Sequence, residues 1–173
     1  SGILVKATGY SIFDFATENL FSPLGITVEN RLIFQNKEEQ MAFNQSTNMS
    51  GWVTDQMGIQ TAGWGLTLTP IDMAKIGQLY LNDGMWENRR IVSEKWIKDS
   101  TTEHSRWKKQ NLSYGYLWWV KEDGYAAMGD GGNMIYVNIK KKMVVSIAAL
   151  FVPKVKDRIE LVKEYIEPIF GYS

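Results

Sequence analysis

The sequence predicts an α+β fold, an antiparallel sheet packed with helices. Three observations carry this reading. Helix signals fill the first half of the chain, strand signals gather in the second around a Lys140-Lys141-Lys142 turn, and an amphipathic stretch closes it. Helices, then a β-meander, then a helix is not the βαβ alternation of a parallel sheet. At 173 residues and 45% hydrophobic, the chain can bury one sizeable core. No linker or internal repeat divides it, so residues 1–173 read as a single domain or a piece of one.

Residues 1–9 read as the last turns of a helix, with Ile3, Leu4 and Ala7 on one face and Gly9 as the stop. Ser11 caps a second helix, Asp14 stands three positions on, and Phe21-Ser22-Pro23-Leu24-Gly25 ends it. Residues 27–62 are polar and weakly periodic, and read as a long loop or a meander of short pieces. Thr69-Pro70-Ile71-Asp72 starts a helix, with Thr as N-cap, Pro at the first position and an acid in the first turn. That helix runs to Asn82, and Gly84 ends it. Ser93-Glu94 opens a short helix carrying Trp96 and Ile97.

A polar loop is expected near residues 100–113, followed by strands over 114–120, 133–139 and 143–152, the last two an antiparallel pair. Residues 154–168 end the chain as an amphipathic helix bracketed by Pro153 and Pro168, with Val155, Ile159, Val162 and Ile166 on one side.

Composition removes several function classes. Lys plus Arg equals Asp plus Glu at 19 each, so the basic excess that a nucleic-acid partner requires is missing. Without cysteine there is no disulfide, thiolate chemistry or cysteine metal site. The opening Ser1-Gly2-Ile3-Leu4-Val5-Lys6 is not a signal peptide, and no stretch is long enough to cross a membrane. Lacking an initiator Met, the first helix reads as cut off or processed. His104, the single histidine, has no ligand partner in sequence and reads as a surface residue rather than a zinc ligand.

Four blocks in order point to a family. Thr8-Gly9-Tyr10-Ser11 with Phe21-Ser22-Pro23-Leu24-Gly25-Ile26 resembles the "TG-x-S … PLG" region of serine β-lactamase-like proteins. These include class C β-lactamases, D-alanyl-D-alanine peptidases (penicillin-binding proteins) and related esterases. Gly63-Trp64-Gly65-Leu66 followed by Thr69-Pro70-Ile71-Asp72-Met73-Ala74 resembles the "GGL-x-ST-x-x-D-x-A" helix start. Tyr114-Gly115-Tyr116-Leu117-Trp118-Trp119 resembles the "YG-x-GW" strand. Gly129-Asp130-Gly131-Gly132-Asn133 falls where the third catalytic motif, K-T-G or H-x-G, would lie.

The resemblance implies the C-terminal portion of a β-lactamase/transpeptidase-like fold. Its parent would be a bacterial serine hydrolase acting through an acyl-enzyme on a small-molecule amide, ester or β-lactam, without a cofactor. The nucleophile motif S-x-x-K and the Y-x-N motif precede "TG-x-S" in the family, so this chain would be inactive alone. Members often work outside the cytoplasm, which is the compartment expected of the parent. Within the third motif, the resemblance assigns substrate binding to Asp130, Gly131, Gly132 and Asn133, with the Asn133 backbone N–H as oxyanion donor. Asp130 stands where the family has Lys or His and reverses the charge that helps bind a substrate carboxylate. The competing account is a Gly-rich turn with Asp130 as its hydrogen-bonding residue.

Three other spellings match family motifs. Ser105-Arg106-Trp107-Lys108 is an S-x-x-K in a polar stretch, read as a surface loop. Tyr80-Leu81-Asn82 and Tyr136-Val137-Asn138 are Y-x-N, read as a core tyrosine at a helix end and a cross-strand structural pair. Trp52 and Trp64 border the long loop, and both core packing and a cleft wall remain open for them. The rival to a hydrolase fragment is a non-catalytic binding or assembly module on the same fold. Pairing with a missing N-terminal part, or self-association, is the partner expectation.

Overall fold

Glycine and side-chain caps punctuate the helices of the computed structural model, which describes residues 1–29, 31–47, 49–150 and 156–170. Helix α1 (Gly2–Thr8) stops where Gly9 turns left-handed at φ 75° and donates its N–H to the Val5 carbonyl. Helix α2 (Ile12–Ala16) starts at Ser11, whose hydroxyl accepts from the Asp14 N–H at 3.0 Å. It continues through a π turn (Thr17–Phe21) and a 3-10 turn (Ser22–Leu24).

The region 27–62 is a meander of short pieces. Strand β1 (Arg31–Leu32) pairs in parallel with β2 (Trp52–Val53). Between them stands a helix that sequence patterning does not reveal, α3 (Lys37–Gln45). Asn36 accepts from the Glu39 N–H at 2.9 Å while the Glu39 carboxylate accepts from the Gln35 N–H at 2.8 Å, a variant of the capping box. Because α3 buries no residue, no apolar stripe marks it in sequence.

Helix α4 (Pro70–Leu81) forms as expected, with Thr69 accepting from the Asp72 N–H at 3.1 Å and Gly84 left-handed just beyond its end. A hairpin follows, β3 (Met85–Trp86) and β4 (Arg89–Arg90). Its turn residues Glu87 and Asn88 both take positive φ, which matches the strand twist of a two-residue loop. Helix α5 (Glu94–Ser100) is capped by Ser93.

Six strands then form an antiparallel meander in chain order: β5 (Ser105–Trp107), β6 (Leu112–Tyr114), β7 (Trp119–Val120), β8 (Gly124–Met128), β9 (Met134–Asn138) and β10 (Met143–Ile147). Three expectations need correction. The loop near 100–113 contains β5 and the start of β6. The single strand 114–120 is the hairpin β6–β7, folded back at Leu117 with φ 66°. Strand β8 lacks the alternation that signals a half-exposed strand, because Tyr125 and Ala126 are buried on opposite faces. Strand β10 ends at Ile147, and positions 151–152 of the expected strand lie outside the described residues.

The last helix, α6 (Arg158–Leu161), begins behind the N-cap Asp157 and runs into a π turn (Val162–Ile166). Pro153, residue 154 and Val155, predicted at its start, lie outside the described residues.

The β8–β10 part of the sheet is covered on both faces. Ile135, Val137, Tyr125 and Trp118 meet Met73, Ile76 and Tyr80 of α4. Met134, Tyr136 and Ala126 meet Ile159 and Val162 of the last helix. Alternation along β9 divides these two sets, as the period of two requires. Gly77 lets α4 approach closely, since a Cβ there would sit 2.5 Å from Val144 Cγ1. A further cluster joins α2, Phe21, Leu24, Trp52 and Leu79 on the outer side of α4.

Candidate functional site

The connection between β8 and β9, residues 129–133, is a tightly bonded loop at one end of the sheet. Gly129 N–H donates to the Asn133 carbonyl at 3.0 Å, and Gly132 N–H donates to the Gly129 carbonyl at 3.3 Å. Gly131 (φ 80°) and Gly132 (φ 93°) supply the left-handed backbone the turn requires. The hydrogen-bonding side chain of the turn is Asn133, which corrects the assignment of that part to Asp130. Asn133 Nδ2 donates to the Asp130 carbonyl at 3.1 Å, and Asn133 Oδ1 accepts from the Ala149 N–H at 3.0 Å. The loop is thereby tied to the segment that leaves β10. Asp130 itself is exposed. The Asn133 N–H donates to no group among the described residues.

Two elements distant in sequence reach this end of the sheet. Ser146 Oγ donates to the Pro70 carbonyl at 2.6 Å, which fixes the first turn of α4 beside β10. Arg158, the first residue of α6, lays its guanidinium on Gly132. Its Nε donates to the Gly132 carbonyl at 3.4 Å and its Nη1 to the Lys156 carbonyl at 3.0 Å. Nothing in the sequence signals Arg158, which stands 26 positions from Gly132.

Upstream of α4 lies a half-open apolar groove of about 250 Å³ lined by Leu32, Ile33, Phe34, Ala42 and Met49, with Glu39 at its rim. Trp64 stacks on Phe34 at 6.3 Å and is half exposed. Trp52 is instead buried, its indole N–H donating to the Thr61 carbonyl at 2.8 Å. The two tryptophans therefore separate: Trp52 packs the core and Trp64 stands half exposed against Phe34.

The formal catalytic spellings do not form sites. Ser105 lies on strand β5 and Lys108 follows that strand, so the helical spacing that would bring Lys to the hydroxyl is missing. Tyr80 packs on Trp118 at 4.5 Å, and Asn82 caps α4. Tyr136 and Asn138 are 0% and 1% exposed and bond within the interior. Burial pushes the Tyr136 hydroxyl well above the usual phenol range, so it stays protonated. His104 stacks on Tyr116 at 4.1 Å, with Nε2 against the Asp99 carbonyl at 2.7 Å. Among the described residues no three His, Cys, Asp or Glu side chains could hold a metal ion, and no helix is long and apolar enough to cross a membrane.

No protein-family model and no curated protein matches the chain. Solved structures do. One is a Bacillus anthracis protein described as a 6-aminohexanoate-dimer hydrolase, 24% identical, with a TM-score of 0.63 over 93% of this chain. The chain spans 38% of that protein's length. At this identity the likeness concerns the fold alone, an antiparallel sheet packed with helices.

Proposed function

We propose that the chain is the C-terminal portion of a serine hydrolase of β-lactamase-like type, with residues 129–133 forming one wall of its acyl-transfer site. The observation that carries this reading is the Asn133 peptide. Its carbonyl and its side chain are all engaged, while its N–H is left undirected at the end of the sheet. A fixed, unengaged N–H is what an oxyanion site needs, because it costs no reorganisation when charge develops on the acyl oxygen. A serine from the upstream part attacks the carbonyl, the Asn133 N–H takes the oxyanion, the amine or alcohol leaves, and water hydrolyses the acyl-enzyme.

The exposed Asp130 shapes substrate choice. A carboxylate in this position disfavours anions of the penicillin type and favours a neutral or cationic amide or ester. The Bacillus anthracis neighbour bears the name of a 6-aminohexanoate-dimer hydrolase. Two amino acids joined head to tail make a linear amide, which supports the same direction. Asp130 also favours the second reading, a β-lactamase-like module that has lost catalysis.

The test is turnover of a p-nitrophenyl ester and a chromogenic cephalosporin, with labelling by a serine-directed fluorophosphonate. The longer gene product is expected to label and to prefer the ester. This chain is expected to do neither. A longer product that neither labels nor turns over would make the non-catalytic module the better account.

A further inference from the structure

We infer that Arg158 is a positioning residue for the acyl-transfer site, acting through the peptide bond between Gly132 and Asn133. The inference rests on the reading of Asn133 as oxyanion donor. The carbonyl of Gly132 and the N–H of Asn133 belong to one planar trans peptide, so they point in opposite directions. A guanidinium held on the carbonyl therefore fixes the direction of the N–H. It also polarises the unit, since a charged donor on the carbonyl makes the N–H of the same amide a stronger donor.

The contact is built for this. A Cβ on Gly132 would lie 2.6 Å from Arg158 Nη2, 2.7 Å from Nε and 2.9 Å from Cζ, so the guanidinium lies against the bare α-carbon. A side chain at 132 would push the guanidinium off the loop, and the φ of 93° is itself one that L residues rarely adopt. Arg158 is half buried and its Nη1 is held by the Lys156 carbonyl, which restricts the side chain at the loop. The four anchors of the loop, Gly129 N–H, Gly132 N–H, Asn133 Nδ2 and Ala149 N–H, leave the Gly132 carbonyl to Arg158. The third motif carries an acid in sequence, and a cation reaches it from the last helix.

Two measurements on Arg158→Ala and Arg158→Lys test this. In this chain, with folding checked by circular dichroism, Arg158→Ala should move the Asn133 amide nitrogen resonance upfield. The β9 amides should stay in place, and Arg158→Lys should restore part of the shift. In the longer gene product, Arg158→Ala should lower kcat on the ester roughly ten-fold with KM little changed, and Arg158→Lys should recover part of the loss. An unmoved Asn133 resonance in folded Arg158→Ala overturns the inference, as does a rise in KM at constant kcat. If the resonance responds while the wild-type longer product has no turnover, the alignment of the peptide stands and the acyl-transfer reading falls.

Discussion

The Asn138 side-chain amide donates to the Glu167 carboxylate at 2.9 Å, linking the end of β9 to the residue that follows the last helical turn. Lys141 Nζ reaches the other Glu167 oxygen at 2.6 Å, and the Tyr136 hydroxyl lies 3.4 Å from the first. This buried cluster gives the Tyr136-Val137-Asn138 spelling a structural role. Removing one partner leaves a buried polar group without its hydrogen bond, so Asn138→Leu and Glu167→Ala should each destabilise the fold by about 1–3 kcal/mol. Urea unfolding measures this. Losses near zero would mean the cluster adds nothing to stability.

The same cluster sets a pH dependence. Burial raises the Glu167 carboxyl, but hydrogen bonds from Lys141 and Asn138 outweigh it and hold the group below its ordinary 4.5. For Asp123 burial likewise acts upward, and Lys163 at 2.7 Å together with the Tyr136 hydroxyl and the backbone lowers it. A carboxyl depressed in the folded state contributes stability that is fully present above its unfolded value and is lost as pH falls through the folded one. Stability should therefore decline as pH drops below 4.5, and Glu167→Gln should flatten part of that decline. An unchanged slope in the variant would assign the acid sensitivity elsewhere.

Gly77 is where α4 touches the sheet. Alanine would favour the helix by about 1 kcal/mol, but its Cβ would fall 2.5 Å from Val144 Cγ1 and 2.9 Å from Ile135 Cγ2. Overpacking of a filled contact costs about 1–3 kcal/mol, so Gly77→Ala should be net destabilising and lower the Tm. A raised Tm would mean that the helix and sheet can separate without loss.

Asn133 anchors the loop with both ends of its amide. Under the proposed acyl-transfer role of residues 129–133, Asn133→Ala should reduce ester turnover by a longer hydrolase containing this chain while costing the fold only about 1 kcal/mol. Thermal denaturation and kcat measured together distinguish this from general unfolding. Equal turnover would show that the side chain does not hold the donor in place.

Much of the helical framework was legible because its signals are local. Ser11, Thr69 and Ser93 each cap with the N–H three positions on, and Gly9 and Gly84 turn left-handed where a helix must end. Helix α3 was not legible because its Asn36–Glu39 cap stands alone, without a buried stripe behind it. Strand β8 escaped because burial on both faces erases the alternation by which a strand is read. At the candidate site, the glycines mark residues 129–133 in sequence, but the hydrogen-bonding side chain is Asn133 and not Asp130.

By itself the sequence determined the helix starts at Ser11, Thr69 and Ser93, the helix stops at Gly9 and Gly84, the β9–β10 hairpin around its lysines and the antiparallel class of the sheet. Each of these depends on neighbours within a few positions. Tertiary structure alone decided which tryptophan is core, that Tyr136 and Asn138 are sealed under the last helix, and that Arg158 lies on Gly132. Those outcomes depend on which surfaces meet when α4 and α6 close over the two faces of the sheet. Contacts between segments 26 or more positions apart leave no periodic trace in a single chain.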